Sequence, residues 1–347
     1  MKRIRYSAIL LLAALLLSLT ACSGLILNPD GTISGKDGTL TLGPGADTRE
    51  PSTGGSLSWD TEPESETVPS IGFDEDPYED AEHRLYVDFL KTGKSDCILI
   101  RADDKVILMD TGENDDFSAV QAALSAKNVT VIDLLILTHY DNDHIGTAAR
   151  VLNSYDVKTV YMPDYIRNSS LYRKMAEALA ASSAEVHRLY DEDVELDLGY
   201  AHLWINATGL PGHERGREMG SDVDNVDAEE NNFSLITYLT FGSMKLLFCG
   251  DAEGERMAEY MPLWQARGLS TVTLCKIPHH GASADKGELN ALDVLQPRYC
   301  VVHTDARTSL AGAIVTKMKA VFSAVYYTYD GTVSFASDGE SCTIGTK

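Results

Sequence analysis

An apolar run, Val131-Ile132-Asp133-Leu134-Leu135-Ile136-Leu137, leads directly into Thr138-His139-Tyr140-Asp141-Asn142-Asp143-His144-Ile145-Gly146. The run has the length and composition of a buried strand. The residues after it place two imidazoles and three carboxylate or amide side chains within positions 139–144. A His/Asp cluster at a strand exit, where a helix begins, constrains the fold strongly, because layered α/β proteins build their sites at the carboxyl ends of their strands. Imidazole and carboxylate together suit a divalent metal that activates water.

The chain has 347 residues and a formal net charge of −23. Met1-Lys2-Arg3-Ile4-Arg5 is a basic start, and the apolar stretch 9–17 is too short for a comfortable membrane span. It runs into Leu19-Thr20-Ala21-Cys22, which resembles a bacterial lipobox. Residues 1–22 are therefore expected to be a lipoprotein signal peptide, with Cys22 carrying lipid and the mature protein exported and lipid-anchored on the outer face of the cytoplasmic membrane. An ordinary signal peptide with a chance Cys is the alternative. Residues 23–82 lack hydrophobic periodicity and hold 14 acidic against 2 basic residues. They read as a disordered acidic linker, with a weak strand signal near Thr39-Leu40-Thr41-Leu42.

Residues 83–347 are long enough for one sizeable α/β domain. With the linker at −12 and the leader at +3, the domain keeps a net charge of −14. That acidity disfavours tight non-specific nucleic-acid binding. Beyond Cys22, the odd and scattered set Cys97, Cys249, Cys275, Cys300 and Cys342 is no disulfide framework. Cys249 or Cys275 is a candidate stray ligand.

Alternating or apolar runs predict strands near 84–90, 97–100, 106–109, 131–137, 157–162, 186–189, 201–207, 234–241, 244–248, 272–277, 299–303, 325–329, 333–335 and 342–344. Helices are expected over 117–125, 143–154, 170–181, 253–266 and 311–322, and a loop over 209–231. Hairpins in both halves with helices between them suggest two facing sheets with helices outside.

Further chemistry-bearing residues lie beside predicted strands, Asn231-Asn232 before one and the others just past theirs. They are Asp110 in Met109-Asp110-Thr111-Gly112, Asn231-Asn232, Asp251 in Cys249-Gly250-Asp251, and His279-His280-Gly281 after Leu274-Cys275-Lys276-Ile277. Together with Gly93-Lys94-Ser95-Asp96 and Asn232-Phe233-Ser234-Leu235, the pattern resembles the metallo-β-lactamase fold superfamily over nearly all of 83–347. It is most similar to the ComEC-type (competence protein) branch, here as a free-standing relative.

The resemblance implies an αβ/βα four-layer sandwich with metals at one rim. It implies that His139 and Asp141 serve one metal, that Asp143, His144 and one of His279 and His280 serve the other, and that Asp251 bridges. His279 is favoured by analogy. Asp110 would orient a ligand from behind; alone it reads equally as turn chemistry. The superfamily's usual second His is Asp141 here, and Asn232 stands where a further His is expected; His213 is a candidate substitute. These harder ligands imply a zinc or manganese centre with one tight and one weaker site, and speak against β-lactam hydrolysis. Lys276 is a candidate contact for an anionic substrate and His303 for the pocket wall, with a solvated strand residue and a rim histidine as the plain readings. His83, His187 and His202 lack liganding company.

The expected reaction is hydrolysis, with Asp143 or Asp251 positioning water. The resemblance implies a phosphodiester substrate, DNA among the candidates. A wall polymer (teichoic acid or phosphorylcholine type) or a small phosphoester fits an exported acidic domain, and a weak binding module on the same fold is the non-enzyme alternative. No protein partner is expected.

Overall fold

The computed structural model describes residues 26–27, 33–35, 38–40, 76–207, 216–221, 228–321 and 323–347. Cys22 and His213 lie outside them, as does most of the linker. Within the segment expected to be without order, three short strands, β1 (Ile26–Leu27), β2 (Ile33–Gly35) and β3 (Gly38–Leu40), pair antiparallel in that order. They belong to a separate unit, Met1–Glu66.

The unit that carries the site runs over Thr67–Lys347. Residues ahead of 83 also pack on this unit. Tyr78 is buried, and Tyr86 donates a 2.5 Å hydrogen bond to Asp76. One aromatic residue among acidic neighbours is a weak sequence signal, but it suffices to dock the segment.

The first sheet has eight strands. Its members are β4 (Leu85–Phe89), β5 (Ile98–Ala102), β6 (Lys105–Met109), β7 (Val131–Ile136), β8 (Asp156–Pro163), β10 (Glu185–Leu189), β19 (Val333–Ser337) and β20 (Cys342–Thr346), in the order β10-β8-β7-β6-β5-β4-β19-β20. The second has seven: β11 (Asp193–Asp197), β12 (Ala201–Asn206), β14 (Ile236–Phe241), β15 (Met244–Phe248), β16 (Leu274–Lys276), β17 (Tyr299–Val302) and β18 (Ala324–Tyr327). A small parallel pair joins β9 (Tyr165–Asn168) to β13 (Arg217–Ser221).

The period-2 pattern assigns each face. In β5, Ile98 and Ile100 enter the core between the sheets while Leu99 points to the helix side; in β15, Leu246 and Phe248 face inward and Leu247 outward. The inter-sheet core joins Leu85, Val87 and Phe89 to Leu239, Phe241 and Phe248. On the outer face of the first sheet lie α1 (Phe117–Ala126), α3 (Ala148–Ser154) and α4 (Ser170–Ala181). On that of the second lie α6 (Gly254–Ala266), α7 (Lys286–Leu295) and α8 (Gly312–Ala320). Helix, sheet, sheet, helix is the αβ/βα four-layer sandwich. Among the described residues no helix is long and apolar enough to cross a membrane.

Three differences from expectation have local causes. The helix expected over 143–154 is broken into α2 (Asn142–Ile145) and α3 at Thr147, whose backbone (φ −106°, ψ 5°) leaves the helix, next to Gly146, which packs closely on the 113–114 loop. A Cβ there would lie 2.3 Å from the Asn114 nitrogen. Helix α7 and strands β9, β11 and β13 had no periodicity strong enough to read. Part of the expected 209–231 loop is the strand β13 and the short helix α5 (Ala228–Asn231).

Strand direction brings the site together. β6, β7 and β8 run parallel, as do β15, β16 and β17. β5 is antiparallel to β6, so its entrance lies at the exit of β6. Loops after β6, β7, β15, β16 and β17, and the loop before β5, therefore supply side chains to one rim.

Candidate metal centre

Asp143, His144, Asp251 and His280 bring one ligand atom each to within 4.8 Å of one another. His144 Nε2 lies 3.3 Å from Asp251 Oδ1, and His280 Nε2 lies 3.0 Å from Asp251 Oδ2 and 3.4 Å from Asp143 Oδ2. The Nε2 atoms of His144 and His280 are buried and make no well-formed hydrogen bond. They converge on a shared space, as ligands of a common cation do.

Asp110 fixes this arrangement from behind. It takes the left-handed conformation (φ 53°) at the end of β6, which turns its carboxylate toward the next strand. There it accepts 2.8 Å and 2.7 Å hydrogen bonds from the Thr138 backbone nitrogen and hydroxyl, and lies 2.8 Å from His144 Nδ1. With Nδ1–H donating to Asp110, His144 presents its Nε2 lone pair to the centre.

Electrostatics fit a divalent ion. Six carboxylates, Asp96, Asp110, Asp141, Asp143, Asp251 and Glu230, face two fixed cations, Lys276 and Arg167. Burial works against a charged His144, yet Asp251 and Asp110 raise its pKa well above the ordinary imidazole value. The same opposition, with Asp251 and Asp143 as partners, raises His280. Burial raises the Asp251 carboxyl, but His280, His144 and Lys276 outweigh it and hold the pKa well below the usual carboxylate range. Asp143 is lowered too, by His280 and His144 against burial. A site that draws protons onto its imidazoles is one short of positive charge, which a bound metal would supply.

Of the consecutive histidines, His280 faces the centre, in contrast to the preference for His279. Both adopt positive φ (46° and 55°), so successive side chains diverge sharply. His279 Nδ1 instead lies 3.3 Å from Glu253 Oε1, and its ring is partly exposed beside the site.

The other metal position is less complete. His139 is fully buried, its Nε2 lacks a hydrogen bond, and Asp141 Oδ2 is 3.7 Å away. His139 and Asp141 join no group of three ligands among the described residues. Asp141 is also ion-paired to Arg167, which simultaneously holds Glu230. Asn232 braces the loop that follows Asp251, its Oδ1 accepting from the backbone nitrogens of Glu253 (3.2 Å) and Arg256 (3.3 Å).

Two expected roles need correction. Lys276 is fully buried, donates 2.7 Å to the Gly250 carbonyl, and lies 2.5 Å from Asp96 Oδ2 and 3.3 Å from Asp251 Oδ1. It neutralises carboxylates beneath the centre and has no exposed face for a substrate. Its ammonium also serves the second possible ligand group, Asp96, Asp110 and His144. His303 is likewise fully buried, with Nδ1 3.0 Å from Asp96 Oδ1, and burial lowers its pKa. A neutral imidazole that supports Asp96 is not a pocket wall. Cys249 and Cys275 pack behind the second sheet, among the residues facing α6, so neither reaches the centre. All five cysteines of the described residues are free.

Asp96 entered the sequence reading only within Gly93-Lys94-Ser95-Asp96 and without a role, and Arg167 and Glu230 were not singled out. Asp96 had a signal, a carboxylate entering the apolar run 97–100. Arg167 and Glu230 come from β9 and α5, which carried none.

Residues 90–301 match the family model described as the metallo-beta-lactamase superfamily. "ComE operon protein 3" of Bacillus subtilis (strain 168) is 25% identical over 234 residues, covering 62% of this chain and 28% of that protein. "Recombination protein 2" of Haemophilus influenzae is 24% identical over 209 residues, covering 58% and 22%. The chain thus spans under a third of the length of these curated relatives, which place it close to the ComEC-type branch. The metallo-beta-lactamase fold protein YhfI from Bacillus subtilis superposes with a TM-score of 0.44 at 12% identity, over 70% of this chain and 95% of that one. The family match covers more than half of the sequence, and the chain belongs to the metallo-beta-lactamase superfamily.

Proposed function

We propose that the chain is a metal-dependent phosphoesterase that cleaves phosphodiester bonds, with one tight divalent site, zinc or manganese, and one weaker site. The observation that carries this reading is the convergence of Asp143, His144, Asp251 and His280 on one space. An ion held there by these four residues would supply a lowered pKa for bound water and polarisation of a phosphoryl oxygen.

The residues divide the remaining work. Asp110 keeps His144 in the tautomer that offers Nε2 inward. Asp251, kept ionised by His280, His144 and Lys276, spans the space between the two imidazoles. Asp143, the most solvent-accessible member of the group at 27% side-chain exposure, is placed to accept a proton from attacking water. Asp141 adds hard oxygen donors suited to manganese.

The ComEC-type relatives support a phosphodiester substrate, DNA included. The acidity of 83–347 and the lipobox-like Cys22 favour a second reading: an exported, lipid-anchored phosphoesterase acting on wall polymers or small phosphoesters.

The test compares bis-para-nitrophenyl phosphate, single-stranded DNA and phosphorylcholine esters with Mn²⁺ or Zn²⁺. Cleavage of at least one, lost in His144→Ala, is expected. No cleavage of any, or an unaffected His144→Ala, overturns the hydrolase reading.

A further inference from the structure

Arg167 sits where a second metal cation would be drawn. Its side chain, 11% exposed, bridges the carboxylates of Asp141 and Glu230. Glu230 is buried to 1% and receives a further 2.8 Å hydrogen bond from the Tyr165 hydroxyl. That same hydroxyl accepts 2.8 Å from the Tyr140 nitrogen, so the guanidinium, Glu230 and the backbone between His139 and Asp141 form one tied network. On the inner side, His139 Nε2 is buried without a hydrogen bond and 3.7 Å from Asp141 Oδ2.

The network sets two carboxylates, Asp141 and Glu230, on one guanidinium, with His139 beside Asp141. One oxygen of Asp141 is committed to Arg167, and both carboxylates already share a positive charge. A divalent ion entering beside His139 meets a carboxylate whose charge is partly spent and a guanidinium that repels it. The tight group meets Lys276 at Asp251 Oδ1, 3.3 Å away, while Asp251 Oδ2 and Asp143 Oδ2 face His280 Nε2 instead.

We propose that Arg167 is a built-in substitute for the second metal cation: by bridging Asp141 and Glu230 it keeps the ion at the His139–Asp141 position weakly bound, so that the resting protein carries one tight ion. This rests on the metal-centre reading above. It assigns the weakness of that position to a side chain of the small β9–β13 sheet, rather than only to the exchange of a histidine for Asp141.

Calorimetric Mn²⁺ titration of the demetallated full chain tests it, with no substrate present. The wild type is expected to bind one ion tightly and a second much more weakly. Arg167→Met, which removes the competing charge and frees two carboxylates, should tighten the second ion about tenfold or more and leave the first unchanged. Arg167 meets both carboxylates through Nη1 alone; Arg167→Lys keeps the charge on a shorter side chain that holds the two carboxylates less closely, so it should tighten the second ion by a smaller factor. It also covers the case in which the methionine variant fails to fold. A second ion bound no more tightly in the folded variants than in the wild type overturns the proposal. So do two equally tight ions in the wild type, a result that leaves the hydrolase reading standing. A wild type that binds no ion overturns both.

Discussion

Replacing Lys276 by methionine isolates the charge balance beneath the centre. The lysine ammonium lies 2.5 Å from Asp96 Oδ2 and 3.3 Å from Asp251 Oδ1, and all three residues are at most 2% exposed. Burial raises the Asp96 carboxyl, but Lys276 and His303 outweigh it and hold its pKa below the usual carboxylate range. Methionine fills a similar volume, so packing changes little while one charge vanishes. Removing one partner of a buried pair costs about 3–5 kcal/mol, because the other charge stays desolvated. For a domain of this size a kcal/mol moves Tm by roughly 2–4 °C, so a fall of about 6–20 °C is expected. The measurement is urea and thermal unfolding of the metal-free protein at neutral pH. As pH falls into the carboxylate range, Asp96 of the variant takes up a proton and the gap to wild type should narrow. The double variant Asp96→Asn/Lys276→Met should recover most of the loss, since no ion is then left unpaired. A single variant as stable as wild type, or a double variant no better than the single, would refute the pairing argument.

Other expectations follow from the same geometry. Asp110→Asn weakens the hold on His144 and should cost about 10–100-fold in affinity for the tight ion, read by calorimetry, with the far-ultraviolet circular dichroism unchanged. Metal affinity should rise as pH increases through neutrality, because an ion must displace protons from His144 and His280, whose pKa values are raised; titrations in two buffers of different ionisation heat count the protons released. The metal-free protein should show the opposite trend: the stability that the raised His144 contributes is complete below the unfolded value near 6.5 and is lost as pH climbs through the folded value. Gly287→Ala places a Cβ 1.7 Å from the Gly254 carbonyl oxygen, which forces α7 from α6 and should cost about 3 kcal/mol in denaturant unfolding.

The parts of the molecule legible in the sequence are those in which one residue type has one use. The run at 131–137 could only be a buried strand, and the histidines and aspartates after it could only meet at its end. Asp110, Asp251 and the 279–280 pair were legible for the same reason, each following an apolar run. What stayed hidden depends on backbone angles or on partners distant in the chain. The choice of His280 over His279 is made by two consecutive left-handed residues, which no periodicity announces. Lys276 reads as a substrate contact or a solvated strand residue until Asp96, 180 positions earlier, is set 2.5 Å away. Arg167 lies on a four-residue strand whose partner among the described residues is β13.

The hidden residues share one property: they are the charges that make the visible ones affordable. A rim collecting Asp96, Asp110, Asp141, Asp143 and Asp251 would repel itself apart without internal cations, and in a buried setting each unpaired carboxylate would take up a proton rather than stay ionised. Lys276 below and Arg167 to one side leave a gap in the positive charge at the Asp143–His144–Asp251–His280 group. The position of that gap is set by the sandwich, since Lys276 ends β16 and Arg167 lies on β9. The fold thereby chooses which carboxylates are neutralised permanently by the protein and which await an exchangeable ion. Moving either cation should shift where the ion binds before it alters how the sheets pack.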